Sequence, residues 1–134
     1  MERRNVASGA RWESIVGYSR AVRVGAHVAV AGTTATDPQG KVVALGDAYG
    51  QAVHIFHRIE AALNQAGARL EDVVRTRIFL TNIDDWEKVG RAHAEFFRDV
   101  RPAATLLEVS RLIDAEVLVE IEADAVLASP LGNR

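Results

Sequence analysis

The stretch "VLVEIEADAVL", Val117 to Leu127, decides how this chain folds. Taken in twos, Val117, Val119, Ile121, Ala123 and Ala125 lie on one side, and Leu118, Glu120, Glu122, Asp124 and Val126 on the other. Alternation with a period of two marks a strand with one buried face. The opposite face carries Glu120, Glu122 and Asp124 in a row. Acidic residues are depleted in strands, and like charges side by side repel. Such a row needs either cationic partners or a chemical task.

Upstream, the same alternation recurs between helical patterns. "SRAVRV" (19–24) and "GAHVAVAGTTA" (25–35) read as two strands joined by a tight hairpin at Gly25. "TDPQGK" is a turn, and Lys41 to Ala44 is expected to extend the sheet. "GDAYGQAVHIFHRIEAALNQAGA" changes period: Ala52, Phe56, Ile59 and Leu63 share a helical stripe, with Asp47 as its cap and Gly67 as its end. "DVVRTRIFLTN" is a strand, with Val74, Thr76, Ile78 and Leu80 on one face and Val73, Arg75, Arg77 and Phe79 on the other. "IDDWEKVGRAHAEFFRDV" is a second helix, with Asp84 and Glu87 spaced as a capping box and a stripe of Trp86, Val89, His93, Phe96 and Phe97. "ATLLEVSRL" and the opening stretch are the last two strands. The order β-β-α-β-α-β-β, with two amphipathic helices on one face of a mixed sheet, makes a two-layer α+β domain over residues 1–134. Nothing in so short a chain remains to cover the second sheet face, which points to a symmetric oligomer with sites between subunits.

Composition narrows the function. The chain has no cysteine, which excludes disulfides, thiolate catalysis and Cys-ligated metals. The formal net charge of −2 and the pI of about 6.1 argue against a dedicated nucleic-acid binder. No apolar run approaches the length of a membrane span, and "MERRNVASGARWE" lacks the apolar centre of a secretory signal, so no membrane partner and a cytoplasmic location are expected. His54, His57 and Glu60 recur at helical spacing, but without a third histidine they read as a solvated helix face rather than a metal site. His93 sits on the apolar stripe and reads as a core or interface residue. There is no Gly-x-Ser-x-Gly elbow and no phosphate loop. Arg75 and Arg77 share a strand face and are expected to pair with the acidic row, ahead of an anion-clamp role.

"RPAATLLEVSRLIDAEVLVEIEADAVL", Arg101 to Leu127, resembles the C-terminal signature of the Rid family, the YjgF-type reactive-intermediate deaminases once described as L-PSP endoribonucleases. The Pro-Ala start, the Glu-Val-x-Arg-Leu core and the Val-Glu-Ile-Glu-Ala end carry the resemblance. "IVGYSRAVRVG", "VAVAGTTATDPQGKVV" and "VGRAHAEFF" extend it over nearly the whole chain. It implies a chorismate-mutase-like fold and a homotrimer with small-molecule clefts between subunits. It also implies hydrolysis of enamine and imine intermediates, such as 2-aminoacrylate and its imine tautomer, to 2-keto acids and ammonia, with no metal or organic cofactor. By the same resemblance, Glu120 positions the hydrolytic water, and Tyr18, Gly32, Thr33, Thr105 and Leu106 line the substrate.

The chain departs from the family at two positions. The arginine that directly follows Pro-Ala and holds the substrate carboxylate is Ala104 here, and a helix asparagine is Gly90. A charged hydrogen bond to a carboxylate contributes about 1.5–3 kcal/mol, and a guanidinium also fixes orientation. Strand alternation turns Thr105 away from Ala104, so Thr105 cannot replace the lost side chain; Arg77, Arg20 or Arg23 could. The expectation is therefore a small-molecule hydrolase of an imine, enamine or related reactive metabolite that handles standard 2-imino acids poorly. The alternative is a metabolite-binding or regulatory trimer that kept the cleft and lost the chemistry. A ribonuclease is the reading least favoured by the acidic balance.

Overall fold

The structure, a computed structural model, describes residues 1–128. Its elements are β1 (Arg3–Val6), α1 (Arg11–Val16), β2 (Ala21–Val24), β3 (His27–Thr33), α2 (Ala48–Gln65), β4 (Val73–Leu80), α3 (Trp86–Phe97), β5 (Ala103–Glu108) and β6 (Val119–Val126). The six strands form one sheet in the order β1-β2-β3-β6-β4-β5. β6 pairs antiparallel with both β3 and β4, while β4 and β5 run parallel across α3. This is the mixed-sheet α+β architecture expected from the pattern, with one strand and one short helix added at the N-terminus.

β1 and α1 had no periodic signal to betray them. β1 is "RRNV", exposed except for Val6, and lies on the sheet edge, where arginines discourage further pairing. α1 spans only six residues and stops at Gly17, whose φ of 90° is the left-handed conformation of a helix end. Lys41 to Ala44 forms no strand. Only Thr36 and Val42 bridge there, because the Asp37 carboxylate accepts from the Gln39 and Lys41 amides and curls the chain back.

α2 begins where expected: the Asp47 side chain accepts from the Gly50 amide at 2.9 Å. α3 does not use the Asp84–Glu87 box. A single 3₁₀ turn over Ile83–Asp85 precedes it, and Asn82 accepts from the Asp84 amide instead. Trp86 is 54% exposed and lies off the core stripe. Val89 and Phe97 are buried, and Phe96 packs partly buried against them. β4 carries a bulge between Val73 and Arg75, so Val73 turns inward and Val74 outward, reversing the expected order at that end. From Thr76 to Leu80 the expected face is the buried one.

Between sheet and helices lies the core. Val119, Ile121, Ala123 and Ala125 of β6 meet Ile55, Phe56, Ile59 and Leu63 of α2, all buried. Each fully buried aliphatic or aromatic side chain contributes about 1.5–3 kcal/mol. His93 belongs to this core. Its ring lies 4.8 Å from Phe97 and 5.7 Å from Phe56, its Nε2 is 2.9 Å from Thr76 Oγ1, and burial lowers its pKa. Gln51 is fully buried and ties the helix layer to the approach of β6. It donates to Glu116 O at 3.0 Å and Ala44 O at 3.3 Å, and accepts from the Leu118 amide at 2.9 Å. A Gln51→Leu variant fills the same volume but leaves those backbone groups unpaired. Each buried orphan costs about 1–3 kcal/mol, so the urea midpoint should fall clearly with an unchanged m-value; an unchanged midpoint would refute the role.

Candidate functional site

β6 sits in the middle of the sheet, and its polar residues form the face turned away from the helices. Cross-strand register assigns their neighbours: Asp124 opposes Arg75 and Ala29, Glu122 opposes Arg77, and Glu120 opposes Phe79. Arg77 reaches both Glu122 Oε1 and Asp124 Oδ2 at 3.2 Å. Half-exposed pairs of this kind contribute only about 0–1 kcal/mol each. They account for two of the three carboxylates in the expected way.

Glu120 is different. Among the described residues no donor reaches its carboxylate within hydrogen-bond distance. Its pKa is raised, first by burial, while Arg20 lowers it and Glu122 adds a smaller upward push. Burial rather than the row of carboxylates is thus the main cause. Beside it, β3 carries a bulge between Val30, opposite Ala123, and Thr33, opposite Ile121. The bulge sets Gly32 against Glu120 so closely that a Cβ there would overlap Glu120 Oε2.

Arg20 is the hub of the same corner. Its guanidinium donates to Gly32 O at 3.1 Å, Thr33 Oγ1 at 2.9 Å and Tyr18 Oη at 3.3 Å. Behind it stands Glu13, 8% exposed and itself held by the Ser8 amide and hydroxyl. Arg58, from α2, donates to Thr34 O at 2.8 Å and Thr36 Oγ1 at 3.0 Å, and burial, with the nearby Arg20 charge second, lowers its pKa. Alongside, an open depression of about 620 Å³ is lined by Glu13, Tyr18, Ser19, Val22, Ala29 and Ala31, within the size range of small-molecule sites. Its floor is the sheet face that adjoins Gly32.

The expected site residues fall into two groups. Tyr18, Gly32, Thr33 and Glu120 come together, although Thr33 is fully buried and its hydroxyl is engaged by Arg20 and Ala31 O, leaving only its backbone for a ligand. Thr105 and Leu106 lie on β5, two strands and roughly 10 Å across the sheet from Glu120 and three strands from Gly32 and Thr33. Thr105 aligns with Arg77 on the Glu120 face, while Leu106 aligns with Ile78 and faces the helix side, as Ala104 does beside Thr76. One chain cannot close a pocket around both groups. Of the candidate replacements for the missing arginine, Arg77 is held by Glu122 and Asp124, and Arg23 by Gly25 O and Ala66 O; only Arg20 adjoins Glu120. Glu13 and Arg58 carry no motif that singles them out in the sequence. His54 Nε2 meets Thr36 O at 2.9 Å, and no group of three potential metal ligands occurs among the described residues.

The family model described as Endoribonuclease L-PSP matches residues 8–127. The chain belongs to this family, the Rid or YjgF family. An uncharacterized protein of Streptomyces coelicolor is 43% identical over 122 residues, 91% of this chain and 90% of that one. The 3-aminoacrylate deaminase RutC of Acinetobacter baylyi is 34% identical over 104 residues, 78% of this chain and 82% of that one. Among solved structures, Rv2704 from Mycobacterium tuberculosis, a member of the YjgF/YER057c/UK114 family, has 49% identity and a TM-score of 0.86 over 94% of this chain and 100% of that one. The Rid fold and the signature strand thus stand on independent grounds. No helix among the described residues is long and apolar enough to cross a membrane.

The raised pKa of Glu120 has a sign that stability can read. A carboxyl whose folded pKa exceeds its unfolded one binds protons more tightly in the native state. Its ionisation therefore weakens the fold as pH rises from the unfolded pKa through the folded one. Glu120→Gln should melt slightly higher than the wild type at pH 7, and the difference should shrink as pH falls below the ordinary glutamate range. Calorimetry across pH 3–8 measures it, and a destabilised variant at pH 7 would contradict the burial account.

Proposed function

We propose that this Rid-family chain is a small-molecule hydrolase of imines or enamines, working in a cleft completed by a second copy of itself in a homotrimer. The observation that carries this reading is Glu120: a half-buried carboxylate with no donor among the described residues, packed on Gly32 on the sheet face turned away from the helices. Such a group can accept a hydrogen bond from water and aim its oxygen at an electrophilic carbon. In the reaction, water oxygen adds to the C=N carbon and its protons end on nitrogen. The C–N bond then breaks to give a carbonyl and ammonia. Tyr18, Gly32 and Thr33 form one wall, and Thr105 and Leu106 of the second copy form the other. The uncovered sheet face, and the separation of the two groups within one chain, support that assembly. Sedimentation should show a trimer at micromolar concentration; a stable monomer would sink the shared cleft.

Ala104 shapes the substrate class. With a methyl group where the family arginine stands, nothing on β5 holds a carboxylate. Neutral imines should be preferred over 2-imino acids. The test generates phenylmethanimine from benzylamine with a flavin amine oxidase, and 2-iminopropanoate with an amino-acid oxidase. Semicarbazide traps whatever is not hydrolysed. The chain should accelerate the neutral imine, and should act on 2-iminopropanoate roughly ten- to a hundredfold less well than an arginine-bearing relative. Glu120→Gln should abolish turnover and Glu122→Gln should leave it nearly unchanged. Loss with Glu122→Gln alone would overturn the assignment. No turnover of either imine, with binding retained, would favour the non-catalytic metabolite-binding reading to which Ala104 also points.

A further inference from the structure

We propose that Arg20, locked from behind by Glu13, is the positioning residue of this site: it fixes the Gly32–Thr33 bulge, turns the Tyr18 hydroxyl into a donor toward the depression, and places a fixed cation beside Glu120. This rests on the reading of Glu120 given above and assigns a role to a buried ion pair that the reaction itself does not touch.

Hydrogen-bond accounting carries the inference. Arg20 is 5% exposed and Glu13 8%, so neither is a solvated surface charge. Two buried ions resist loss of either partner, because the survivor is left uncompensated. Arg20 Nε lies 3.9 Å from Glu13 Oε2, too far for a hydrogen bond, and is the one buried side-chain donor left unpartnered among the described residues. The remaining donors point forward, away from Glu13. Thr33 Oγ1 accepts from Arg20 and donates to Ala31 O, so its one proton is committed. Tyr18 Oη accepts from Arg20, and the guanidinium lies over the ring with its carbon 5.5 Å from the centroid. A guanidinium cannot accept, so the phenolic proton is left to point elsewhere. Gly32, whose carbonyl Arg20 holds, is the residue on which the Glu120 carboxylate rests. A neutral amide at position 20 has two N–H donors and could satisfy at most two of these acceptors. It could not satisfy all three or supply the charge.

The groups that face Glu120 are few. Arg20 precedes β2, Glu122 is its neighbour on β6, Gly32 faces it from β3, and Phe79 opposes it on β4. Arg20 is the cation among them that opposes the effect of burial on the Glu120 carboxylate.

The test uses the full chain and needs no ligand for its main arm. The side-chain carboxyl ¹³C signal of Glu120, assigned by its disappearance in Glu120→Gln, is titrated in the wild type, Arg20→Gln and Arg20→Lys. The midpoint should move upward in Arg20→Gln and return toward the wild type in Arg20→Lys. A midpoint unchanged in folded Arg20→Gln overturns the proposal. Should Arg20→Gln fail to fold, the wild type decides: its Arg20 guanidinium ¹⁵N signals should shift at the Glu120 midpoint, and signals blind to it overturn the pairing. A turnover arm uses phenylmethanimine. The acid limb of the kcat/KM profile should move upward in Arg20→Gln, and Arg20→Lys should recover that limb while KM stays raised, because a point charge cannot hold both Tyr18 and the bulge. An acid limb that does not move with the Glu120 midpoint would overturn the positioning role. If Glu120→Gln leaves turnover intact, the role given to Glu120 in hydrolysis fails, and the titrations still decide whether Arg20 sets Glu120.

Discussion

The whole sheet depends on one strand filling one gap. β3 and β4 each run antiparallel to β6, so they run parallel to each other and are separated by a strand's width. α2 connects them across that gap and would rest on an open slot without the C-terminal strand. β6 supplies backbone partners on both sides at once and presents Val119, Ile121, Ala123 and Ala125 to the helix. The last element among the described residues thus completes the core that the earlier elements begin. A strand buried on both edges also has a strictly specified register, because a slip of one residue would drive the carboxylates into the core.

That register divides the acidic row by environment rather than by residue type. Glu122 and Asp124 lie where Arg77 can reach both, in half-exposed surroundings where the pairing is weak but sufficient. Glu120 lies one step further along, beside the β3 bulge, where burial outweighs the cation near it. Two chemically identical glutamates two residues apart therefore differ in what they can do. One is a partner in an ion pair, and the other is an acceptor that no donor among the described residues engages.

Membership of the Rid family explains the architecture and leaves the chemistry to the site, since one fold hosts many activities. The split between the Glu120 corner and the β5 positions is itself informative. Thr105 lies two strands across the sheet from Glu120 and Leu106 faces the other side, so the two groups do not converge within one chain. A cleft that uses both therefore demands a second copy, and the uncovered carboxylate face is where that copy has room. Ala104 on β5 then bears on which molecules such a cleft would hold, while Arg20 and Glu13 on the opposite wall keep a charge pair that a surface position would not require.

How much of this was legible in the chain follows from the range of the interactions involved. Period-two and period-3.6 patterns read out burial, so β2, β3, α2, β4, α3, β5 and β6 were visible from sequence, as were the Asp47 cap and the core role of His93. The edge strand β1 and the short α1 bury too little to leave a period. The Asn82 turn displaced the expected cap because a local side chain competed for the same amide. The bulges at Val73–Arg75 and Val30–Thr33 add a residue without changing composition, so no pattern announces them. Glu120 could be picked out because the strand signature is contiguous. That Gly32 rests against it, that Glu13 backs Arg20, and that Arg58 joins the same corner were decided only in three dimensions. Local periodicity specifies which face a residue takes, whereas the electrostatics of a site depend on which faces, distant in sequence, the fold brings within a few ångströms of each other.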